Sequence, residues 1–592
     1  MVLAYGQVTV EGLINVKTGG VFYSAMSVNI LASGLFQIEG DLTLDADITG
    51  ENLLQLEPSA SIISNAGTLT LANNTQEVIT NLTIGDSGFV EVPAGHSLTL
   101  LGVLDNANNR GVKLFADSTG YAQLLTKGTT TGAGTVYAEQ YFTANTIAGW
   151  RQIGSPVAST FAQVDDDFQT YYPNSPGTVG IANQWNIKYW EAISSSGNAA
   201  GLPANGWQTV DNNGVTFGAA SGGAGYTLYT GGLFDVFNNG ILDVEGLVGN
   251  GDYTYFTFPT TTTLQQSIEN TGWNLIPNPY PSNIDASQLL SDGTNFNLAY
   301  KAIHIWDAKT QQYLAVTNDV AIIIGNKFDT TYNIAPFQAF WVKGDVSSTQ
   351  SFTIKNIHRT IAAKGNFFKT APQLIRLNAV AANGDVDQTI LTFEEGESDR
   401  IENRDAFKIK SMDDSKPNLY TLVDGSAMSI NRLSIPSPSK HVPIYFELKD
   451  ERDFTIDMVE ETVELGWMIE LEDHKTGAIC NLRSSAYTFT NDPSFNGNRF
   501  TVHINIMGES ITSTNASRIN IFGNDEGINV VFGFYITAPT ANVLITNLAG
   551  QIIYRNTVAT DVPFVFEVSG SPNMYIVHVT AGNKIEFGKI VI

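Results

Sequence analysis

The sequence contains a single cysteine, Cys480, so no disulfide can form within the chain and the fold must rest on packing. Its surroundings, Gly477-Ala478-Ile479-Cys480-Asn481-Leu482, read as a strand and predict a buried structural thiol. Charge is scarce as well. Charged residues make up 15% of the chain, against about 25% in an average soluble protein. Basic residues are the scarcer kind, with 31 Lys and Arg against 58 Asp and Glu and a net charge of −27. Such a surface repels phosphate backbones and anionic lipid, which argues against a nucleic-acid partner and against an anionic membrane surface. No apolar run reaches the roughly 18–20 residues that a transmembrane helix needs.

Helical periodicity is nearly absent apart from a short turn near Ala286–Leu290. The motifs of common chemistries are missing too. There is no Gly-x-Ser-x-Gly elbow, His-Glu-x-x-His, Cys-x-x-Cys, P-loop or dinucleotide fingerprint. The seven histidines (His96, His304, His358, His441, His474, His503 and His578) are scattered without ligand spacing. Gly222-Gly223-Ala224-Gly225 has no following helix or lysine and reads as a turn. The expectation is a protein without catalysis and without a cofactor.

What is present is Gly, Thr, Asn and Ser interleaved with β-branched and aromatic residues, a mixture that favours strands and tight turns. The length of 592 residues, at about 150 residues per domain, suggests about four units. The expected fold class is all-β and multidomain. Residues 7–132 alternate with period two and repeat a short phrase: Leu42-Thr43-Leu44, Leu69-Thr70-Leu71, Leu82-Thr83-Ile84 and Leu98-Thr99-Leu100. The uneven gaps suit a parallel β-solenoid with coils of varying length, with an antiparallel meander or sandwich as the alternative.

A clearer repeat follows. Gly149-Trp150-Arg151-Gln152-Ile153 returns as Gly272-Trp273-Asn274-Leu275-Ile276. Tyr189-Trp190-Glu191-Ala192 returns as Ile305-Trp306-Asp307-Ala308, and Gly225-Tyr226-Thr227-Leu228-Tyr229 is answered by Ala339-Phe340-Trp341-Val342. Order is preserved, which predicts duplicated β-sandwich units over 133–258 and 259–365 with Trp150 and Trp273 at equivalent buried positions. The tryptophans are expected to fill cores, with a solvent-facing glycan platform as the rival role. Residues 366–510 form a further β-rich region. Within it, 381–480 carries 22 acidic against 10 basic residues and reads as a solvated face. Polar residues 508–517 mark a linker, and 518–592 alternate cleanly as a separate small sandwich with a hairpin turn at Asn547–Gly550.

One stretch imitates the first half of a calcium loop. Asp45, Asp47 and Thr49 offer oxygens at alternate positions before Gly50, although the twelfth position is Leu56 rather than glutamate. Solenoid corner chemistry accounts for the same residues. A polysaccharide-active β-helix enzyme is a third functional reading, disfavoured by the small number of Lys and Arg in the first 140 residues.

The terminal pattern resembles the type A sorting domain of type IX secretion substrates in Bacteroidota. The residues that carry it are Ile545-Thr546-Asn547-Leu548-Ala549-Gly550-Gln551, Met574-Tyr575-Ile576-Val577-His578-Val579, then Lys584, Gly588-Lys589 and Ile590-Val591-Ile592. Asn573-Met574 stands where that family usually has glycine. Gly272–Ile276 with Asn278-Pro279-Tyr280-Pro281-Ser282, Pro336–Lys343 and Leu471–Gly477 resemble modules of large surface proteins of the same group. The resemblance implies an Ig-like sorting sandwich whose signal includes Gly550, Tyr575, Lys584, Gly588 and Lys589, and a type IX secretion machinery as partner. It also implies display outside the cell in a structural or adhesive role. Further partners would be a second copy of the chain, as in a homopolymer, or surface glycans. Residues 1–6 read as the remnant of a signal peptide, with small residues at Ala4 and Gly6, so the mature chain is expected to begin at Gln7.

Overall fold

The computed structural model describes short strands within 2–56 and most of 61–591. Outside the described residues lie 143–148, 169–185, 192–205, 211–215, 218–224, 231–239, 258–271, 323–332, 345–349, 362–372, 507–518, 533–537 and 569–573, with shorter stretches elsewhere. The structure is nearly all-β, as the composition predicts. It divides into two units, one of Met1–Ile435, Val442–Val463 and Leu471–Val502, the other of Pro436–His441, Glu464–Glu470 and His503–Ile592.

The first unit begins with a parallel solenoid. Val2–Ala4, Val21–Ser24, Asp41–Leu44, Ser61–Thr70, Asn81–Val92, Val112–Leu114 and Val136–Tyr141 stack as one parallel ladder. A second ladder joins Gln76–Ile79, Ser97–Leu100 and Gln123–Thr126. Leu42, Ile62 and Leu82 lie one above another, as do Val90, Val112 and Val136. From Ser61 onward the described coils bury the same apolar file while alternate residues point outward. Three of the recurring phrases, at Leu42, Leu69 and Leu82, start on strands of the first ladder, and the one at Leu98 lies on the second. Coils touch closely at the corners. A Cβ on Gly88 would lie 2.0 Å from the Ser64 carbonyl oxygen, and one on Gly128 would lie 1.9 Å from that of Gly102. Asparagines link neighbouring coils, with Asn108 Nδ2 donating to the Gly88 carbonyl (2.8 Å) and Asn106 Nδ2 to that of Thr135 (3.0 Å). Antiparallel Ile241–Gly246 covers the last coil and ends the ladder.

The sequence repeat is a repeat of structure. Gly149–Ile153, Tyr226–Thr230, Ile187–Glu191 and Gly206–Thr209 form one antiparallel sheet in that spatial order. Trp273–Pro277, Ala339–Gly344, Leu298–Asp307 and Gln312–Thr317 form another with the same topology. The two meet along a seam with reciprocal contacts. Gly154 N–H donates to the Phe337 carbonyl and Gly225 N–H to that of Leu275, each at 2.9 Å. The Trp190 indole donates to the Trp273 carbonyl (2.8 Å), and the Trp306 indole to the Trp150 carbonyl (2.7 Å).

Residues 373–506 contribute a nearly closed ten-stranded sheet. Rings of Phe446, Phe454, Phe489 and Phe500 pack together within it. Leu374, Ile390, Ala406 and Ile430 of this sheet pack on Ala302, Leu314 and Ala315 of the second repeat.

In the second unit, Ile519–Asn524, Gly527–Phe532 and Phe564–Phe566 form one sheet of a small sandwich. Ile552–Ala559, Thr540–Asn547, Met574–Ala581 and Lys584–Val591 form the other. Its core includes Ile528, Val530, Val543, Ile545, Val577 and Val579, each almost fully buried.

Candidate functional site

The terminal sandwich gives each described residue of the pattern that resembles a sorting signal a distinct position. Gly550 closes the turn after Asn547 at a positive φ of 79°, a conformation glycine adopts without steric cost. Asn547 Oδ1 stabilises the same turn by accepting from the backbone of Ala549 and Gln551, each at 3.0 Å. Tyr575 is buried in the core. Gly588 faces the opposite sheet, where a Cβ would stand 2.7 Å from Ile521 Cγ2. Lys589 is exposed and lies across from Ile576. Lys584 opens the last strand and pairs with Ala581; its side chain lies outside the described residues. The outward face around Lys589 is apolar. Ile576 is 41% exposed, Ile585 57% and Phe587 67%, with Phe587 stacked on His578 at 4.4 Å. An apolar sheet face left in water is uncommon and marks a contact surface more often than a solvated one.

The calcium loop expected at Asp45, Asp47 and Thr49 falls outside what is described. Asp45 and Asp47 are not among the described residues, and Thr49 is placed only by its backbone in Ile48–Thr49 beside Asn29. Among the described residues, no group of three or more His, Cys, Asp or Glu side chains is arranged to hold a metal. Cys480 is buried, with Sγ 3.3 Å from the Ser485 carbonyl oxygen, as its sequence context predicts.

The tryptophans face one another. Trp190, Trp207, Trp273 and Trp341 meet edge to face, with centroids 5.1–6.3 Å apart. The Trp341 indole donates to Gln152 Oε1 (3.0 Å), whose amide donates to Tyr313 Oη (2.8 Å). Trp150 and Trp273 open equivalent strands, but Trp273 is buried while Trp150 is half-buried against Tyr229 and Lys188.

The acidic region 381–480 is largely a solvated face, as its composition predicts, with several of its carboxylates paired. Arg376 bonds Glu460 at 2.6 Å, and Arg404 bridges Asp319, Glu394 and Glu397. Arg499 clamps the fully buried Asp473 through two nitrogens. Lys408 and Asp387 form a buried pair at 2.5 Å. Burial pushes the Asp387 carboxyl up, while Lys408 and the Leu419 N–H pull it down.

One cleft stands out on the ten-stranded sheet. It encloses about 550 Å³, within the roughly 300–1,000 Å³ typical of ligand pockets. Tyr420 and Tyr445 are direct cross-strand partners, with rings 5.5 Å apart and nearly parallel at 10°. Tyr420 is buried and Tyr445 half-buried. Tyr420 Oη donates to Glu447 Oε1 (2.5 Å), and Lys410 Nζ bonds Glu447 Oε2 (2.7 Å) while lying 5.3 Å above the Tyr420 ring. Asp414 and Lys449 form an exposed pair at the rim. Asn491 is locked by donating to the carbonyls of Leu448 (3.0 Å) and Asp450 (2.8 Å). Sequence reasoning missed this cleft, because its residues come from three separate segments, Lys410–Tyr420, Tyr445–Lys449 and Asn491–Phe495. The only local signal was a tyrosine in each of two neighbouring strands.

The solenoid and the duplicated sheets lie in the first unit, and the terminal sandwich lies in the second. The model of a family described as a domain of unknown function, DUF8693, matches residues 57–504, and the chain belongs to that family. No curated protein matches the chain.

Proposed function

We propose that this chain is an exported, non-catalytic protein of the outer cell surface, delivered by type IX secretion and acting in a structural or adhesive role. The observation that carries the reading is the terminal sandwich. Its core is its own, and the residues that resemble a sorting signal divide cleanly there. Gly550 and Gly588 satisfy backbone geometry and packing, and Tyr575 fills the core. Lys589 stands on the outward face beside Ile576. A pattern that builds the fold and leaves one apolar face with a cation in water suits recognition by export machinery. The remaining architecture fits a load-bearing or adhesive body, since the solenoid and the paired sheets are held by packing and hydrogen bonds without disulfides.

The test is one of sufficiency. Residues 518–592 are fused behind a periplasmic reporter in a bacterium with type IX secretion. Reporter on the cell surface supports the reading. Reporter left in the periplasm, while an established type A sorting domain carries it out, contradicts it. A glycan-binding accessory role is the second reading, favoured by the tyrosine-floored cleft.

A further inference from the structure

We propose that the cleft between Tyr420, Tyr445 and Glu447 binds a neutral oligosaccharide. The inference gives the adhesive reading a ligand. It is tested on purified protein, so it can fail while export and display hold.

Three features of the cleft point to sugar. The first is the platform. Tyr445 is half-exposed, lines the cleft and is braced from behind by the stacked ring of Tyr420. An aromatic face carries partial negative charge and attracts the polarised C–H groups on the flat face of a pyranose. Tyr420 is in turn fixed by its hydrogen bond to Glu447 and by Lys410 above it, so the platform is held in place before any ligand arrives. The second is the rim. Glu447, Lys410, Asp414 and Lys449 place carboxylates and ammonium groups side by side at the cleft. Vicinal hydroxyls both donate and accept, and paired acid and base side chains offer both roles at once. The third is charge. In a chain of net charge −27, each cleft lysine is matched by a carboxylate: Lys410 by Glu447, Lys416 by Asp385 and Lys449 by Asp414. A matched rim has no excess cation to draw a uronate, sulfate or phosphate, and this selects a neutral ligand. The volume of about 550 Å³ with an open mouth suits a few sugar residues of a longer chain.

The experiment applies the purified full chain to an array of neutral oligomers (β-1,3-glucan, β-1,4-glucan, mannan, xylan and chitin) alongside uronate-bearing oligomers. At least one neutral oligomer should be retained, with an affinity that is unchanged between 0.1 and 0.5 M salt, since no net charge is neutralised on binding. Tyr445→Ala should weaken that binding at least about tenfold with an unchanged melting temperature, and Tyr445→Phe should retain it. If Tyr445→Ala lowers the melting temperature, Lys449→Ala supplies the readout from a side chain 72% exposed, with weaker binding expected. The proposal is overturned if no neutral oligomer is retained, if the cleft variants bind like the parent protein, or if only uronate-bearing oligomers bind and salt releases them.

Discussion

His304 shows how burial sets the chemistry of a single residue. Its Nε2 lies 2.7 Å from the Phe407 carbonyl oxygen, its ring meets Trp273 edge-on at 5.0 Å, and its side chain is buried. Desolvation first, then the charges of Lys343 and Lys408, push its pKa from the usual 6.5 down to about 4. The unfolded chain therefore binds the proton more readily than the folded one. The stability from neutral His304 is complete above pH 6.5 and is lost as pH falls toward and through 4. The loss amounts to about 3 kcal/mol. Buried Asp405, raised to about 6, acts in the opposite direction over an overlapping range, so the comparison must be made between variants. His304→Gln keeps a donor for the Phe407 carbonyl and does not titrate. Urea unfolding at stepped pH should show a flatter acid slope in this variant than in the parent. At Gly588 the constraint is space. Gly588→Ala must displace Ile521 and should cost the terminal sandwich about 1–3 kcal/mol. Lys589→Ala, on the exposed side, should leave its thermal unfolding unchanged.

Among the elements, the paired sheets make the sharpest prediction, because each repeat donates an indole hydrogen bond to the first strand of the other. Trp306→Phe leaves the Trp150 carbonyl without its donor and should cost about 1–3 kcal/mol. Trp190→Phe should cost a similar amount at the Trp273 carbonyl. Trp273→Ala opens a buried cavity worth about 3–5 kcal/mol. Trp150→Ala should cost less, because that ring is half-buried. Thermal unfolding of the four variants tests this order. The duplicated phrases made the repeat legible in the sequence, and alternation with stacked apolar files made the solenoid legible. The seam was not legible. Nothing local says that Trp190 reaches Trp273, since the two are 83 positions apart. The tyrosine cleft was hidden for the same reason, as strand register, which pairs Tyr420 with Tyr445, is fixed by the whole sheet. The acidic stretch is largely a solvated face, as its composition predicts, but composition does not show that Asp387 and Asp473 within it are buried and paired.

At the scale of the whole molecule, the chain divides into a body and, on the proposed reading, an address. The body spans the family match at 57–504, with apolar cores in the solenoid and paired sheets and buried ion pairs within the ten-stranded sheet. The terminal sandwich has its own core and is, on the proposed reading, the address. Removing it should leave the body folded and change only where the protein goes. The most direct measurement is protease accessibility on intact cells of the native host, comparing the full chain with a chain ending at Asn515. The account predicts that the full chain is digested from outside, while the truncated chain is protected in the periplasm and released with an unchanged melting profile for the body. A truncated chain that reaches the surface as efficiently as the full one would contradict it.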